Sequence, residues 1–294
     1  MSKVLILGGS GMLGHTLFRY LAGNPGLDVF ATVRSAQELV SWLPKDQLKK
    51  VRRDVDINQT DRLVQVFADV LPDFVINCIG IIKQIPEAED PLVTITGNAL
   101  LPHRIALLCG AVGARMIHIS TDCVFDGEKG SYAESDLSNA TDLYGRTKLL
   151  GEVDYPHCVT LRTSIIGHEL KGSYGLVEWF LSQKEKVRGF KKVIYSGFPT
   201  VELSRIIGDF VIPNPGMSGL YHVSSDPISK YELLQLINVQ YGKKIEIEPE
   251  DSFYLDRSLD SSSFRSLTGY NPPIWTELVR RMHQDYLQGP YQKG

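Results

Sequence analysis

The first half of the chain repeats one pattern: a short apolar run, a glycine or polar turn, then a segment whose apolar residues recur at helical spacing. The runs are Val4–Leu7, Val29–Val33, a stretch around Val51, Phe74–Asn77, Met116–Ile119 and Val159–Leu161. Each is short, several are β-branched and each is followed by polar residues, as buried parallel strands require. Between them Leu13, Leu17 and Tyr20/Leu21 keep helical spacing up to Gly23-Asn24-Pro25, and Leu63, Val66/Phe67 and Val70 do so up to Pro72. This alternation predicts an α/β fold, a doubly wound parallel sheet with crossover helices, whose ligands bind off the carboxyl edge of the strands.

After about residue 165 the alternation weakens, and joints appear at Phe198-Pro199, Pro213-Asn214-Pro215-Gly216 and Asn271-Pro272-Pro273. A cofactor domain over residues 1–165, completed by part of 190–212, and a smaller substrate lobe over 166–294 are therefore expected. Ser229 with Glu232 three residues on forms a capping-box pattern, which predicts a helix over Lys230–Val239. A last helix is expected over Trp275–Leu287.

Composition narrows the partners. Lys and Arg number 31 against 34 Asp and Glu, so the formal charge is −3 and no basic excess exists to hold a nucleic-acid backbone. No apolar run approaches the roughly 18 residues of a membrane span, the longest candidates being broken by Asn77, Gly80 and Lys83. The four apolar residues after Met1-Ser2-Lys3 are too few for a signal-peptide core. Cys78, Cys109, Cys123 and Cys158 lack paired spacing, as expected of small core residues in a reducing compartment. The expectation is a cytoplasmic chain with neither nucleic-acid nor membrane partner.

Gly8-Gly9-Ser10-Gly11-Met12-Leu13-Gly14 lies between the first strand and the first helix. Glycines there let backbone approach a pyrophosphate, whose charge is held by free N–H groups at the helix N-terminus. The second strand ends in Arg34, where an NAD-preferring site would place an acid; a guanidinium suits a 2′-phosphate, so NADP(H) is favoured over NAD(H). The alternative is a solvated surface arginine. Asp54-Val55-Asp56 either meets an adenine amino group or opens the next helix. Tyr144 and Lys148, at i and i+4, share one helix face, and an ammonium beside a phenol lowers its pKa toward what a general acid needs. Ser120-Thr121-Asp122, ending the fifth strand, brings a hydroxyl to the same sheet edge.

These motifs, with Thr121-Asp122-Cys123-Val124-Phe125-Asp126-Gly127 and Leu161-Arg162-Thr163-Ser164, resemble the extended short-chain dehydrogenase/reductases and, within them, the dTDP-4-dehydrorhamnose reductases. The resemblance is close over the first 165 residues and looser beyond. It implies a Rossmann-type domain with a nicotinamide cofactor, and reduction of the C4 keto group of a nucleotide-linked 4-keto-6-deoxy sugar in surface polysaccharide or deoxysugar biosynthesis. Carried over by position, Tyr144 would protonate the C4 oxygen, Thr121 would hydrogen-bond it, and Lys148 would bind the nicotinamide ribose and tune Tyr144. Asn77, Cys78, Gly80 and Asn98 match cofactor-supporting positions, while Asp122, Cys123, Arg162, Thr163 and Arg257 are candidate substrate contacts. The resemblance identifies no metal ligands, and a homodimer stays open.

Two departures bear on the substrate. Cys123 stands where the family has tyrosine, and Ser164-Ile165-Ile166-Gly167 lacks the aromatic residue that often follows this motif. A 4-epimerase or dehydratase on the same scaffold is the enzymatic alternative; Cys123, where a dehydratase would carry an added acid, disfavours dehydration. A non-catalytic, NADP-binding regulatory subunit is the third reading, opposed by the intact Tyr144/Lys148 pair. Trp179, Tyr195, Tyr221, Phe253 and Tyr254 are expected mainly in the core, and His118 is expected to be structural. Arg257 and Arg265 are either diphosphate contacts or solvated loop residues.

Overall fold

A computed structural model describes residues 1–35, 43, 47–56 and 59–291. Strands β1 (Ser2–Leu7), β2 (Leu27–Thr32), β3 (Val51–Arg52), β4 (Phe74–Asn77), β5 (Arg115–Thr121), β6 (Cys158–Thr163) and β7 (Gly219–His222) form one sheet, ordered β7-β6-β5-β4-β1-β2-β3. The expected apolar runs supply six of these. Pairing is parallel from β3 through β2, β1 and β4 to β5, with Leu5 opposite both Phe30 and Val75, and Asn77 opposite His118. Strand order reverses between β1 and β4, the position where open α/β sheets bind ligands off their carboxyl ends. The expected Rossmann-type doubly wound fold is what the chain adopts.

Helices α1 (Met12–Ala22), α2 (Thr60–Val70) and α3 (Pro91–Val112) are crossovers. The inner faces of α2 and α3 join the sheet in a core that includes Leu5, Val66, Phe67, Val75, Ile105, Cys109 and Met116, and α1 buries Leu13, Leu17, Phe18 and Leu21. Helix α3, with a π-helical stretch over Ile95–Leu100, is long and apolar enough to cross a membrane by length and composition, although it holds no uninterrupted apolar run of that length. Asn98, His103 and Arg104 interrupt its apolar run and hid its length. It connects adjacent strands β4 and β5 and buries Leu101, Ile105, Ala106 and Cys109, which is how a core crossover helix behaves.

The chain divides into two compact units. The first comprises Met1–Ser120, Thr141–Leu161 and Ser204–Leu220, and holds most of the sheet and α4 (Leu143–Leu150). The second comprises Thr121–Ala140, Arg162–Leu203 and Tyr221–Gly294. It carries α5 (Leu176–Ser182), α7 (Lys230–Gln240), α8 (Ser262–Thr268) and α9 (Trp275–Gln288), while α6 (Thr200–Ile206) begins in it.

The first unit takes in a later segment, as the expected completion by part of 190–212 has it, and the second takes in residues 121–140; hydrogen bonds explain both. Arg115 on β5 donates to the carbonyls of Val211 (2.9 Å) and Met217 (2.7 Å), tying the 204–220 segment to the first unit. Within the second unit, Tyr132 N donates to Ser258 O and Asp256 N to Gly127 O, both at 2.8 Å, anchoring residues 121–140 there. The Ser229–Glu232 capping box forms as expected and starts α7.

Gly14 has no room for a side chain, because a Cβ would stand 2.1 Å from the Gly8 carbonyl oxygen. A Gly14→Ala variant is expected to lose about 1–3 kcal/mol of stability, as overpacked sites do. A urea denaturation midpoint equal to wild type would show that the loop accommodates the methyl group.

Candidate active site

Between β1 and α1 the chain must turn tightly beneath the second strand. Gly8 adopts φ +86°, a left-handed conformation that favours glycine, and its amide meets Thr32 Oγ1 at 3.2 Å. Gly9 N donates to Thr32 O at 2.7 Å, and a Cβ at Gly9 would lie 2.8 Å from that of Ala31. Gly11 caps α1 without a side-chain bond, and the first turn holds no acid. The amides of Met12, Leu13 and Gly14 therefore keep their donors and the helix dipole stays unneutralised, as a pyrophosphate requires. Together with Ser10 in the turn, these residues fit a dinucleotide.

At the neighbouring strand ends Val55 N donates to Val33 O at 3.1 Å, bringing Asp54-Val55 beside the segment that carries Arg34. Both Arg34 and Asp54 are exposed, and Asp54 has φ +57°. Cys78 N extends the β1–β4 ladder to Leu7 O at 3.0 Å. Burial pushes the Cys78 thiol up to about 12, so it is an inert wall residue, although only partly buried. Cys109 and Cys158 are buried as expected; Cys123 is the other partly buried cysteine.

Asp142 caps α4, accepting from Gly145 N at 2.7 Å. Its other oxygen pairs with Lys83 at 2.6 Å, and the Lys83 ammonium lies 5.3 Å above the Tyr144 ring. One helical turn on, Lys148 is 5% exposed and donates from Nζ to Ile119 O on β5 at 2.7 Å. Burial pulls its amine down to about 8, partly offset by the negative charge of Glu152. Ser120 Oγ donates to Glu152 at 2.6 Å.

Buried Asn98 clamps the segment after β4, accepting from Ile81 N at 2.8 Å and donating to Ile81 O at 3.0 Å. Gly80 borders it: a Cβ there would lie 3.6 Å from Asn98 Oδ1 and 4.0 Å from Lys148 Nζ. Asn77 Oδ1 accepts from Ile79 N, so its amide donates to His118 Nδ1 at 3.1 Å. Burial holds His118 well below its ordinary pKa, with Lys148 and His103 adding to the effect, so it is neutral.

In the second unit Thr121 ends β5, donates to Asp122 Oδ1 at 3.2 Å and accepts from Cys123 N at 3.1 Å. Burial raises the Asp122 pKa, opposed by hydrogen bonds from Cys123 and Thr121 and by the charges of Arg257 and Lys230. Arg257 donates to Phe125 O at 2.7 Å and lies 3.8 Å from Cys123 Sγ. Arg162 is 4% exposed, engages Ser138 Oγ at 3.1 Å and His222 Nε2 at 3.3 Å, and sits 5.2 Å over the Phe125 ring. Those contacts make it an internal brace, and Thr163 is equally buried.

Arg265 is occupied by Ser261, Ser224 and Asp226. Trp179, Phe253 and Tyr254 are exposed, contrary to the core expectation, while Tyr195 is buried. Sequence reading missed Lys83, Glu152 and Lys230. Asp142, directly before the helical Leu143-Tyr144, carried a readable N-cap signal.

Residues 2–287 match the model of the RmlD substrate binding domain family. The chain belongs to this family. It is an oxidoreductase of the extended short-chain dehydrogenase/reductase type. It is 29% identical to the spore coat polysaccharide biosynthesis protein SpsK of Bacillus subtilis (strain 168), over 98% of each chain. It is 27% identical to methionine adenosyltransferase 2 subunit beta of Bos taurus, over 79% of this chain and 70% of that one. Among solved structures, a hypothetical dTDP-4-dehydrorhamnose reductase from Sulfolobus tokodaii is 26% identical with a TM-score of 0.75, covering 93% of this chain and 98% of that one. The dTDP-4-dehydrorhamnose reductase of Bacillus anthracis str. Ames, in complex with NADP, shares the fold at TM-score 0.78 and 21% identity, covering 97% and 99%.

The Lys148 amine sets a pH signature. Its folded pKa of about 8 lies below the ordinary lysine value of 10.5, so between them the unfolded chain binds more protons and stability from this group rises with pH. Wild type is expected to gain on Lys148→Met between about pH 8 and 10.5 in paired thermal denaturations. A difference that stays flat across that range would place the lysine in water.

Proposed function

We propose that this protein reduces the C4 keto group of a nucleotide-linked 4-keto-6-deoxy sugar with NADPH preferred over NADH, in polysaccharide or deoxysugar biosynthesis. The observation that carries the reading is the buried Lys148 ammonium, fixed on β5 one helical turn from Tyr144. The glycine cradle supports the cofactor, and exposed Arg34 after β2 supports the 2′-phosphate. A bound nicotinamide supplies the reducing equivalent. Tyr144 delivers the proton to the C4 oxygen, Thr121 donates a hydrogen bond to that oxygen, and Lys148 holds the ribose and favours the phenolate left behind.

Thr121 donates to Asp122 in this structure, so engaging the substrate oxygen requires its hydroxyl proton to rotate. The names of SpsK and of the neighbouring reductases favour sugar-nucleotide reduction over the alternatives. The similarity to a methionine adenosyltransferase subunit keeps a regulatory role as the second reading.

Purified protein with NADPH and a panel of NDP-4-keto-6-deoxy sugars is expected to lose absorbance at the nicotinamide band with at least one of them. Tyr144→Phe should lower kcat by about 10²–10⁴-fold with NADPH binding retained; full turnover in that variant would refute the mechanism. Arg34→Ala is expected to weaken NADPH binding by about tenfold while leaving NADH binding unchanged, as loss of a charge-assisted phosphate contact does. Equal effects on both cofactors would remove Arg34 from phosphate recognition. NADPH binding without reduction of any keto sugar would favour the regulatory reading.

A further inference from the structure

The second unit collects more hydrogen-bond donors beside Thr121 than it has acceptors for. Lys230 is the first residue of α7, held there by the Ser229–Glu232 capping box, in which Glu232 N donates to Ser229 Oγ at 3.1 Å. Its ammonium is half-buried, and among the described residues no hydrogen-bond acceptor or ion-pair partner reaches it. Arg257 spends Nε on Phe125 O and turns Nη1 toward Cys123 Sγ, and among the described residues Nη2 meets no acceptor.

Charge points the same way. Asp122 is the acid that the Lys230 and Arg257 charges act on, so two cations face one carboxylate. That carboxylate already receives the Thr121 hydroxyl at 3.2 Å, and burial favours its neutral form. Burial likewise disfavours the Lys230 charge, and Asp122 only partly restores it. Donors left without acceptors in a half-dry site are costly unless a ligand supplies the acceptors. Lys230, Arg257, Asp122 and Cys123 all keep some solvent exposure, so a ligand can reach them.

We propose that Lys230, with Arg257, forms an oxyanion-binding subsite next to Thr121 that takes an anionic oxygen carried by the substrate. The inference rests on the nucleotide-sugar reading and sharpens it. Two parts of such a substrate carry that chemistry: the diphosphate linker, or a carboxylate on the sugar ring. A neutral sugar face alone would leave the excess cation uncompensated.

The test is equilibrium binding, which does not depend on turnover. Inorganic pyrophosphate, dTDP, UDP, UDP-glucose and UDP-glucuronate are titrated by calorimetry into wild type, Lys230→Met and Lys230→Arg, with NADPH as the control for folding. Lys230→Met is expected to weaken anion binding at least about tenfold, Lys230→Arg to restore it largely, and NADPH binding to hold within about twofold. Weakening of pyrophosphate, dTDP and UDP-glucose alike assigns the subsite to the diphosphate; weakening confined to UDP-glucuronate assigns it to a ring carboxylate. Wild-type affinities in Lys230→Met for every probe, or no binding of any anionic probe by wild type, overturn the proposal. Pyrophosphate binding that depends on Lys230 in a protein that reduces no keto sugar would keep the subsite and refute the proposed reaction instead.

Discussion

One contact organises the first unit's chemistry: the Lys148 ammonium resting on the Ile119 carbonyl at 2.7 Å, almost wholly out of water. A buried cation is costly, and this one is held by features that would otherwise serve little purpose. Glu152 supplies the compensating charge and is itself fixed by Ser120. Asp142 caps the helix that carries the lysine, and its Lys83 partner lies over the Tyr144 ring. The α4 helix has only eight residues, too short to be stable on propensity alone, so its cap and its docked lysine fix where Tyr144 stands.

The glycine loop reaches its function by a different route, through backbone alone. Side chains are excluded at Gly9 and Gly14 by the close approach of Ala31 and the Gly8 carbonyl, and Gly8 needs a left-handed turn. What is left is a helix start with unpaired amides and no acid to neutralise it. Asn98 performs the equivalent service after β4, where its side chain replaces a strand partner for Ile81. The two devices sit at the ends of β1 and β4, the adjacent strands between which the sheet order reverses.

Much of this was legible because it is local. The apolar runs gave the strands to within a few residues, the capping box gave α7, and Tyr144 with Lys148 needed only helical spacing. What was not legible depends on contacts distant in sequence. Arg162 reads as a polar residue at a strand end, a natural substrate contact, yet His222 and Ser138 absorb its donors and Phe125 covers its face. Residues 121–140 continue directly from the end of β5, yet Ser258 and Asp256 hold them in the second unit. Helix α3 was hidden because polar residues punctuate its apolar run, and Asn98, one of those interruptions, turns out to be the clamp.

Cys123 illustrates how a departure from family pattern is absorbed. A tyrosine at that position would bring a hydroxyl on a long ring; the thiol is short, and Arg257 Nη1 approaches it at 3.8 Å while Nε stays on the Phe125 carbonyl. The guanidinium thereby stays close to Asp122, and with Lys230 it leaves this corner of the second unit positively biased. In the proposed subsite, exchanging a bulky neutral donor for a small side chain would shift recognition from shape and neutral hydrogen bonding toward charge. Thr121, Tyr144 and Lys148, the residues of the proposed reaction, are placed by β5 and α4 and not by position 123. In the proposed reaction, chemistry and substrate choice would thus rest on different residues, as expected when one scaffold serves several nucleotide sugars.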